Sequence, residues 1–376
     1  MKLKMLLSIA IFLLTFLVVY PSDNQFLKLK KVAVSSLPED LIVPVLKSLT
    51  IDHKGNVFAF AGKSNGKECF VVKFDENLKY LKRFGRDGKG PGEFSTKFST
   101  PENRLSVDIN DDVYVVDSNP CKLVIFDNEG NHKKDIPIAR DYLKSIGKLS
   151  RLKIVGNGTF IALQPRRELP PHALIFTLNP PQIKVRYPFI EKRTYDNYVS
   201  SYYGEICIID TESEYIIFGN SQIYNFHVYD RNGKLKLKVE DKDKVMGSFN
   251  AREMEYIKDN FFTPKSGYSF IRNSILTQLN ADRSKFKKLM NQIMKSKNII
   301  ADIKMSGERI YVFPVRKDIT VKGKFPVEIY NLKGQVVKRG YFHMRPAKIW
   351  KNYVFFYDRN EEDDPLILKY KILDHY

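Results

Sequence analysis

One pattern recurs six times along this chain of 376 residues. It consists of an apolar strand, a turn built on Asp or Gly, an aromatic-rich strand, a variable turn, and a strand ending in an aromatic residue and Asp. Copies begin at Leu49, Leu105, Leu152, Ile206, Ile300 and Pro346. A repeat of this length constrains the fold because a single twisted meander cannot cover its own two apolar faces. Radial stacking of the meanders buries those faces and protects the strand edges. The sequence therefore predicts an all-β fold, a six-bladed β-propeller of four-stranded antiparallel blades. Ring closure needs a strand from the other terminus, and Phe26 to Val34 is the segment expected to complete the last blade.

The second copy is the clearest. Leu105 to Ile109 and Val113 to Val116 flank the Asp-rich stretch of Asp108, Asn110, Asp111 and Asp112, and Leu123 to Phe126 follows a Pro-containing turn. The imperfect alternation of Val113, Tyr114, Val115 and Val116 suits a strand buried on both faces. Asn232-Gly233 and the stretch from Asn128 to Gly130 supply residues that tolerate tight reversal. Aromatic residues at 13% and charged residues at 28% indicate a folded chain rather than a disordered one.

The stretch from Phe84 to Asp127 resembles an NHL repeat, the unit of six-bladed NHL and TolB-like propellers. Gly85, Gly88, Gly90, Pro91, Gly92, Phe94 and Pro101 match the connector. Asp108, Tyr114, Val115, Asp117, Asn119, Phe126 and Asp127 match the blade, with Lys122 where that family prefers arginine. The remaining copies follow the pattern only schematically. The resemblance implies a bacterial exported propeller that binds through loops at one end of the ring.

From Ser248 to Asn298 the pattern turns helical, which predicts an insertion between blades four and five. Asn250 and Glu253 form a candidate capping pair. Phe286, Leu289, Met290, Ile293 and Met294 make an apolar helix stripe, opposite a face carrying Lys285, Lys287, Lys288 and Lys295. Two readings stay open: a lid packed on the propeller body, or a basic interaction helix.

At the N-terminus, Lys2 and Lys4 precede an uncharged run from Met5 to Tyr20, then Pro21, Ser22 and Asp23. This reads as a signal peptide or an N-terminal anchor over residues 1–22, with the propeller over 23–376, and places the body outside the cytoplasm. No A-x-A cleavage pattern is present.

Local motifs for chemistry are lacking. The glycine-rich connector lacks the G-x-x-x-x-G-K-[ST] order of a phosphate loop. The Asp108–Asp112 stretch lacks the distal Glu of a calcium loop, so self-capping by Asp side chains is expected. Cys69, Cys121 and Cys207 have no metal-ligand spacing, and the six histidines are dispersed. No catalytic, cofactor or metal residue is therefore assigned. The formal charge of +19 favours an anionic envelope partner, a glycan or a peripheral membrane contact over nucleic acid for an exported chain. The expected function is that of a non-enzymatic binding or scaffold module, monomeric, with an unidentified partner. The alternative is a metal-dependent lyase or lactone hydrolase with its site in the central tunnel.

Overall fold

A computed structural model describes residues 25–43, 45–62, 68–94, 105–118, 121–137, 150–156, 159–164, 172–178, 181–188, 207–212, 214–220, 223–244, 249–257, 282, 284, 299–315, 320 and 323–374. Six four-stranded antiparallel sheets account for nearly all of them. Blade 1 comprises Leu46–Ile51, Val57–Ala61, Phe70–Phe74 and Tyr80–Phe84. Blade 2 comprises Leu105–Val107, Val113–Ser118, Cys121–Phe126 and His132–Pro137. Blade 3 comprises Ser150–Gly156, Thr159–Gln164, His172–Leu178 and Pro181–Pro188. Blade 4 follows with Cys207–Glu212, Tyr215–Asn220, Tyr224–Asp230 and Leu235–Asp241, and blade 5 with Ile300–Ser306, Arg309–Pro314, Phe325–Tyr330 and Val336–Phe342. Blade 6 takes Lys348–Trp350, Tyr353–Arg359 and Pro365–Ile372 from the C-terminal end. Its outermost strand is Leu29–Val34, paired antiparallel with Pro365–Ile372 from Leu29 opposite Ile372 to Val34 opposite Leu368. The ring thus closes as the sequence predicts.

The first strands line the axis. Each adjoins the first strand of the next blade, and Lys348–Trp350 returns to Leu46–Ile51, so the cycle is complete. The second and third strands are the most deeply buried. Every residue of Val57–Ala61 is buried, as an apolar run covered on both faces requires. The fourth strands form the rim, where exposure alternates, as in Leu235–Asp241. Each rim strand carries lysine: Lys82, Lys133, Lys184, Lys236, Lys338 and Lys30 stand in blades 1 to 6. Lysine on a free edge discourages edge-to-edge pairing with another chain, which spreads much of the positive charge around the circumference.

Neighbouring blades meet through aromatic side chains. Between blades 1 and 2, Phe84 meets Phe126 edge-on at 5.1 Å between ring centroids, and Phe94 meets Phe126 at 6.4 Å. Each such ring fully buried contributes about 2–3 kcal/mol of transfer free energy, so the seams as well as the sheets carry the stability.

The expected insertion is described at its start and at residues 282 and 284. Ala251–Ile257 is an α-helix, here α1. The Asn250 N–H donates to the Glu253 carboxylate at 2.9 Å and the Glu253 N–H to the Asn250 side chain at 2.9 Å. This is the reciprocal capping box that the sequence predicts. The apolar stripe and Lys285, Lys287, Lys288 and Lys295 lie outside the described residues.

Candidate functional site

The two ends of the blades differ in construction. At one end, the turns joining first to second and third to fourth strands hold at most five residues, as in 52–56, 75–79, 108–112, 127–131 and 331–335. Blade-to-blade connections and the second-to-third turns leave from the other end. Four of those connections span 95–104, 138–149, 189–206 and 242–299 between consecutive strands, and the fifth, 343–347, holds five residues.

Seven turns share one plan, headed by Asp52, Asp75, Asp108, Asp127, Asp230, Asn331 and Asn360. In each, the backbone N–H of the head residue donates to the carbonyl four residues later, and the N–H three residues later donates back to the head carbonyl. The head side chain then accepts from the N–H of the fourth residue on, for example Asn56, Asp112 and Asn131 at 2.8–3.0 Å. The residue before that one adopts positive φ: Gly55, Leu78, Asp111, Gly130, Gly233, Gly334 or Asp363. Six of the seven lie at the short-turn end; only Asn360 heads a second-to-third turn. Asp108 also accepts from the Tyr114 hydroxyl at 3.0 Å. The Asp-rich stretch is therefore a self-capped turn, as expected, with its carboxylates engaged by the chain's own donors.

The connector glycines serve geometry as well. Gly85 is at φ +69°, and a Cβ there would stand 2.5 Å from the Phe94 ring. Arg86–Asp87 pairs in parallel with Glu93–Phe94. Glu93 accepts from the Gly90 N–H at 2.8 Å and from the Arg86 guanidinium at 2.7 Å, and these bonds, Gly90 first, hold its carboxyl below the usual range. Pro91 and Gly92 (φ +70°) complete the reversal. Lys122 fixes the loop by donating to the Gly90 carbonyl at 2.9 Å and to Asp135 at 2.7 Å. Phe94 is fully buried with Phe60, Phe84, Phe126 and Cys69, whose thiol donates to the Phe94 carbonyl at 3.4 Å. Asp117 is fully buried at the end of its strand, in register with Lys122. Of the repeat-motif residues, Gly85, Gly90, Gly92, Phe94, Asp108 and Asp127 take part in the turns, packing and hydrogen bonds just described.

Three polar contacts between blades have no counterpart in the sequence reading. Lys73 and Lys369 are buried lysines on third strands, two residues before a turn head and mid-strand respectively. Lys73 Nζ donates to the Asn128 carbonyl at 2.8 Å, and Lys369 Nζ to the Glu76 carbonyl at 2.6 Å. Each acceptor follows the Asp that heads the outer turn of the next blade. The third contact is the carboxylate of Glu328, on blade 5, which faces blade 4. It accepts from the Tyr224 hydroxyl, from Tyr330 at 3.1 Å, from Lys244 at 2.6 Å and from Arg339 at 3.1 Å. Burial pushes this carboxyl up, but the bonds from Lys244 and Tyr224 outweigh it and the net shift is downward. Burial, with the Glu328 charge, pushes both tyrosines up and keeps them protonated. Among the described residues, no group of three His, Cys, Asp or Glu is arranged to hold a metal ion, and no helix is long and apolar enough to cross a membrane.

No protein-family profile matches the chain, and no curated protein sequence matches it. Similar solved structures exist. One is a member of the DUF4221 family from Bacteroides vulgatus, 15% identical, with a TM-score of 0.57, covering 94% of this chain and 100% of that one. Another, from Bacteroides fragilis, is described as a candidate exported protein. It is 9% identical, with a TM-score of 0.55, and the match covers 93% of this chain and 96% of that one. At these identities the likeness speaks to architecture alone: the chain is a six-bladed β-propeller over its whole described length.

Proposed function

We propose that this protein is an exported, non-enzymatic binding or scaffold propeller of the cell envelope, of the NHL or TolB-like kind, with its ligand face at the long-connection end. The observation that carries this reading is the asymmetry of the ends. One end is built from short turns whose polar groups are consumed by self-capping and by the inter-blade lysines, which leaves a rigid, chemically occupied surface. Long connections on a rigid scaffold are where recognition is concentrated. The N-terminal apolar run supports export, and the exported description of a similar fold agrees with it.

Site-specific photo-crosslinking in cells tests this. Crosslinkers at Lys89 and Glu361, exposed at the long-connection end, should trap a discrete envelope component. Crosslinkers at the exposed Glu129 and Asn232, in turns at the other end, should not. Adducts confined to Glu129 and Asn232 would overturn the assignment of the face.

A further inference from the structure

The segment that closes the ring also fixes how the propeller stands relative to the N-terminal apolar run. Leu27 N–H donates to the Tyr341 carbonyl at 2.9 Å and Tyr341 N–H to the Gln25 carbonyl at 3.2 Å, on the rim of blade 5. Phe26 stacks on His343 with ring centroids 3.9 Å apart, under the Lys324 ammonium. Leu29–Val34 then forms the rim of blade 6, and Ser36 bridges in parallel to Lys79 on the rim of blade 1. One strap of about a dozen residues thus runs across three blades. The chain enters it at Gln25, five residues after the uncharged run ends at Tyr20. Five extended residues reach at most about 18 Å.

Charge along blade 6 is polarised about that entry point. Lys28, Lys30, Lys31 and Lys371 are exposed at the short-turn end, whereas Lys324, exposed beside Phe26, ends the second-to-third turn of blade 5 at the long-connection end. Lys30 and Lys371 are direct cross-strand partners, an arrangement of like charges that destabilises a sheet. Among the described residues, none of these five lysines has an ion-pair partner. Their neighbours Lys338 and Arg339 are neutralised, by Asp374 at 2.9 Å and Glu328 at 3.1 Å. Four acidic residues, Glu361, Glu362, Asp363 and Asp364, gather in the turn at the opposite end of the blade. Val32, 45% exposed, adds an apolar contact on the strap.

We infer that the basic end of blade 6 is a membrane-docking edge. The apolar run over residues 5–20 is retained in the bilayer, and Lys28, Lys30, Lys31 and Lys371 rest on anionic lipid headgroups. Basic residues next to a membrane-bound segment are drawn to such a surface within about one Debye length. The acidic turn at the far end of blade 6 then faces away from the lipid. This orientation rests on the envelope reading of the protein and adds to it which surface meets the lipid.

The test uses the full chain in nanodiscs of phosphatidylcholine alone or with phosphatidylglycerol, with lysine acetylation read by mass spectrometry. Lys28, Lys30, Lys31 and Lys371 should be modified several-fold more slowly in the anionic discs. Lys134 and Lys234, exposed on blades 2 and 4, should be modified equally in both. The K30E/K31E variant, altered only at exposed rim positions, should lose the protection at Lys28 and Lys371. Its unfolding midpoint should fall no lower than the wild type's, since K30E replaces the like-charge pair with Lys371 by an opposite-charge one. Equal modification of the strap lysines in both discs overturns the inference, as does an exported protein whose intact mass shows residues 1–20 removed. Either result leaves the crosslinking assignment of the ligand face standing, so the two readings fail separately.

Discussion

The ammonium of Lys369, in the last blade, lies 2.6 Å from the backbone carbonyl of Glu76, in the first. It sits 4.3 Å from the centre of the Tyr353 ring, and burial lowers its proton affinity. This contact joins the two ends of the sequence across the closing seam. Lys73 makes the same contact from blade 1 to blade 2, over the Phe58 ring at 5.7 Å. Replacing Lys369 by Met keeps the packing and removes a charge-assisted hydrogen bond, at a cost of about 1–3 kcal/mol. Lys73→Met should cost a similar amount. Urea midpoints measure both, and an unchanged midpoint for Lys369→Met would show that the seam does not need its charge.

Glu328 ties blade 4 to blade 5. Two tyrosine hydroxyls and two cations converge on its carboxylate, and Lys244 is where the chain leaves blade 4 toward α1. Glu328→Ala strands Lys244 and Arg339 against a desolvated seam and should cost about 3–5 kcal/mol. Glu328→Gln retains a hydrogen-bond acceptor and should cost less. Thermal denaturation of both variants checks the order.

His227 sits between blades 3 and 4, edge-on to Tyr187 at 4.8 Å. Its Nε2 is buried without a hydrogen-bond partner. Burial first, then the Lys238 charge, lowers its pKa to about 4, against about 6.5 in an unfolded chain. The folded state therefore resists a proton that the unfolded state accepts. This histidine's contribution is fully present above about pH 6.5 and is lost as pH falls toward 4. The loss is about 3 kcal/mol at most, and roughly half that once its partial exposure is allowed for. Unfolding followed from pH 7.5 to 4.5 should show this slope in the wild type and a shallower one in His227→Phe. Equal slopes would remove His227 from the account.

Two glycines at positive φ separate backbone strain from packing. Gly130 is at φ +79°, and a Cβ there would stand 2.6 Å from the Phe84 ring of the preceding blade. Gly307 is at φ +55° with nothing within 4 Å. Gly307→Ala carries only the left-handed conformational cost of about 1–2 kcal/mol. Gly130→Ala adds a clash within a packed seam and should cost about 1–3 kcal/mol more. Similar unfolding midpoints for the two variants would mean that the seam yields freely.

The fold was legible because its determinants are local and repeated. Asp52, Asp108 and Asp127 head turns that recur at fixed places in each meander, and the Gly85-to-Phe94 connector announces the passage between blades. The strap was legible too, since the segment from Phe26 to Val34 stood outside the six copies and the last blade lacked a rim strand. What joins the blades was harder to read. Lys73 and Lys369 interrupt apolar third strands, and a cation in such a run is the one local sign that a distant acceptor exists. Glu328, Tyr224 and Tyr330 gave no sign, because 104 residues separate Tyr224 from Glu328 and only the ring brings them together. Asn331 was missed as a turn head because it stands where other copies carry Asp, and Asn360 because it heads a second-to-third turn. The basic helix positions Lys285, Lys287, Lys288 and Lys295 lie outside the described residues, and their part in binding stands as a proposal.

The central claim is that this propeller binds rather than catalyses. Native mass spectrometry of the full chain, exported through its own N-terminal segment and purified without added metal or chelator, tests it most directly. The account predicts the mass of the polypeptide with no stoichiometric divalent ion, and melting unchanged by chelation. One tightly held divalent ion per chain, whose removal lowers the melting temperature, would contradict the claim and direct mutagenesis to the residues lining the tunnel.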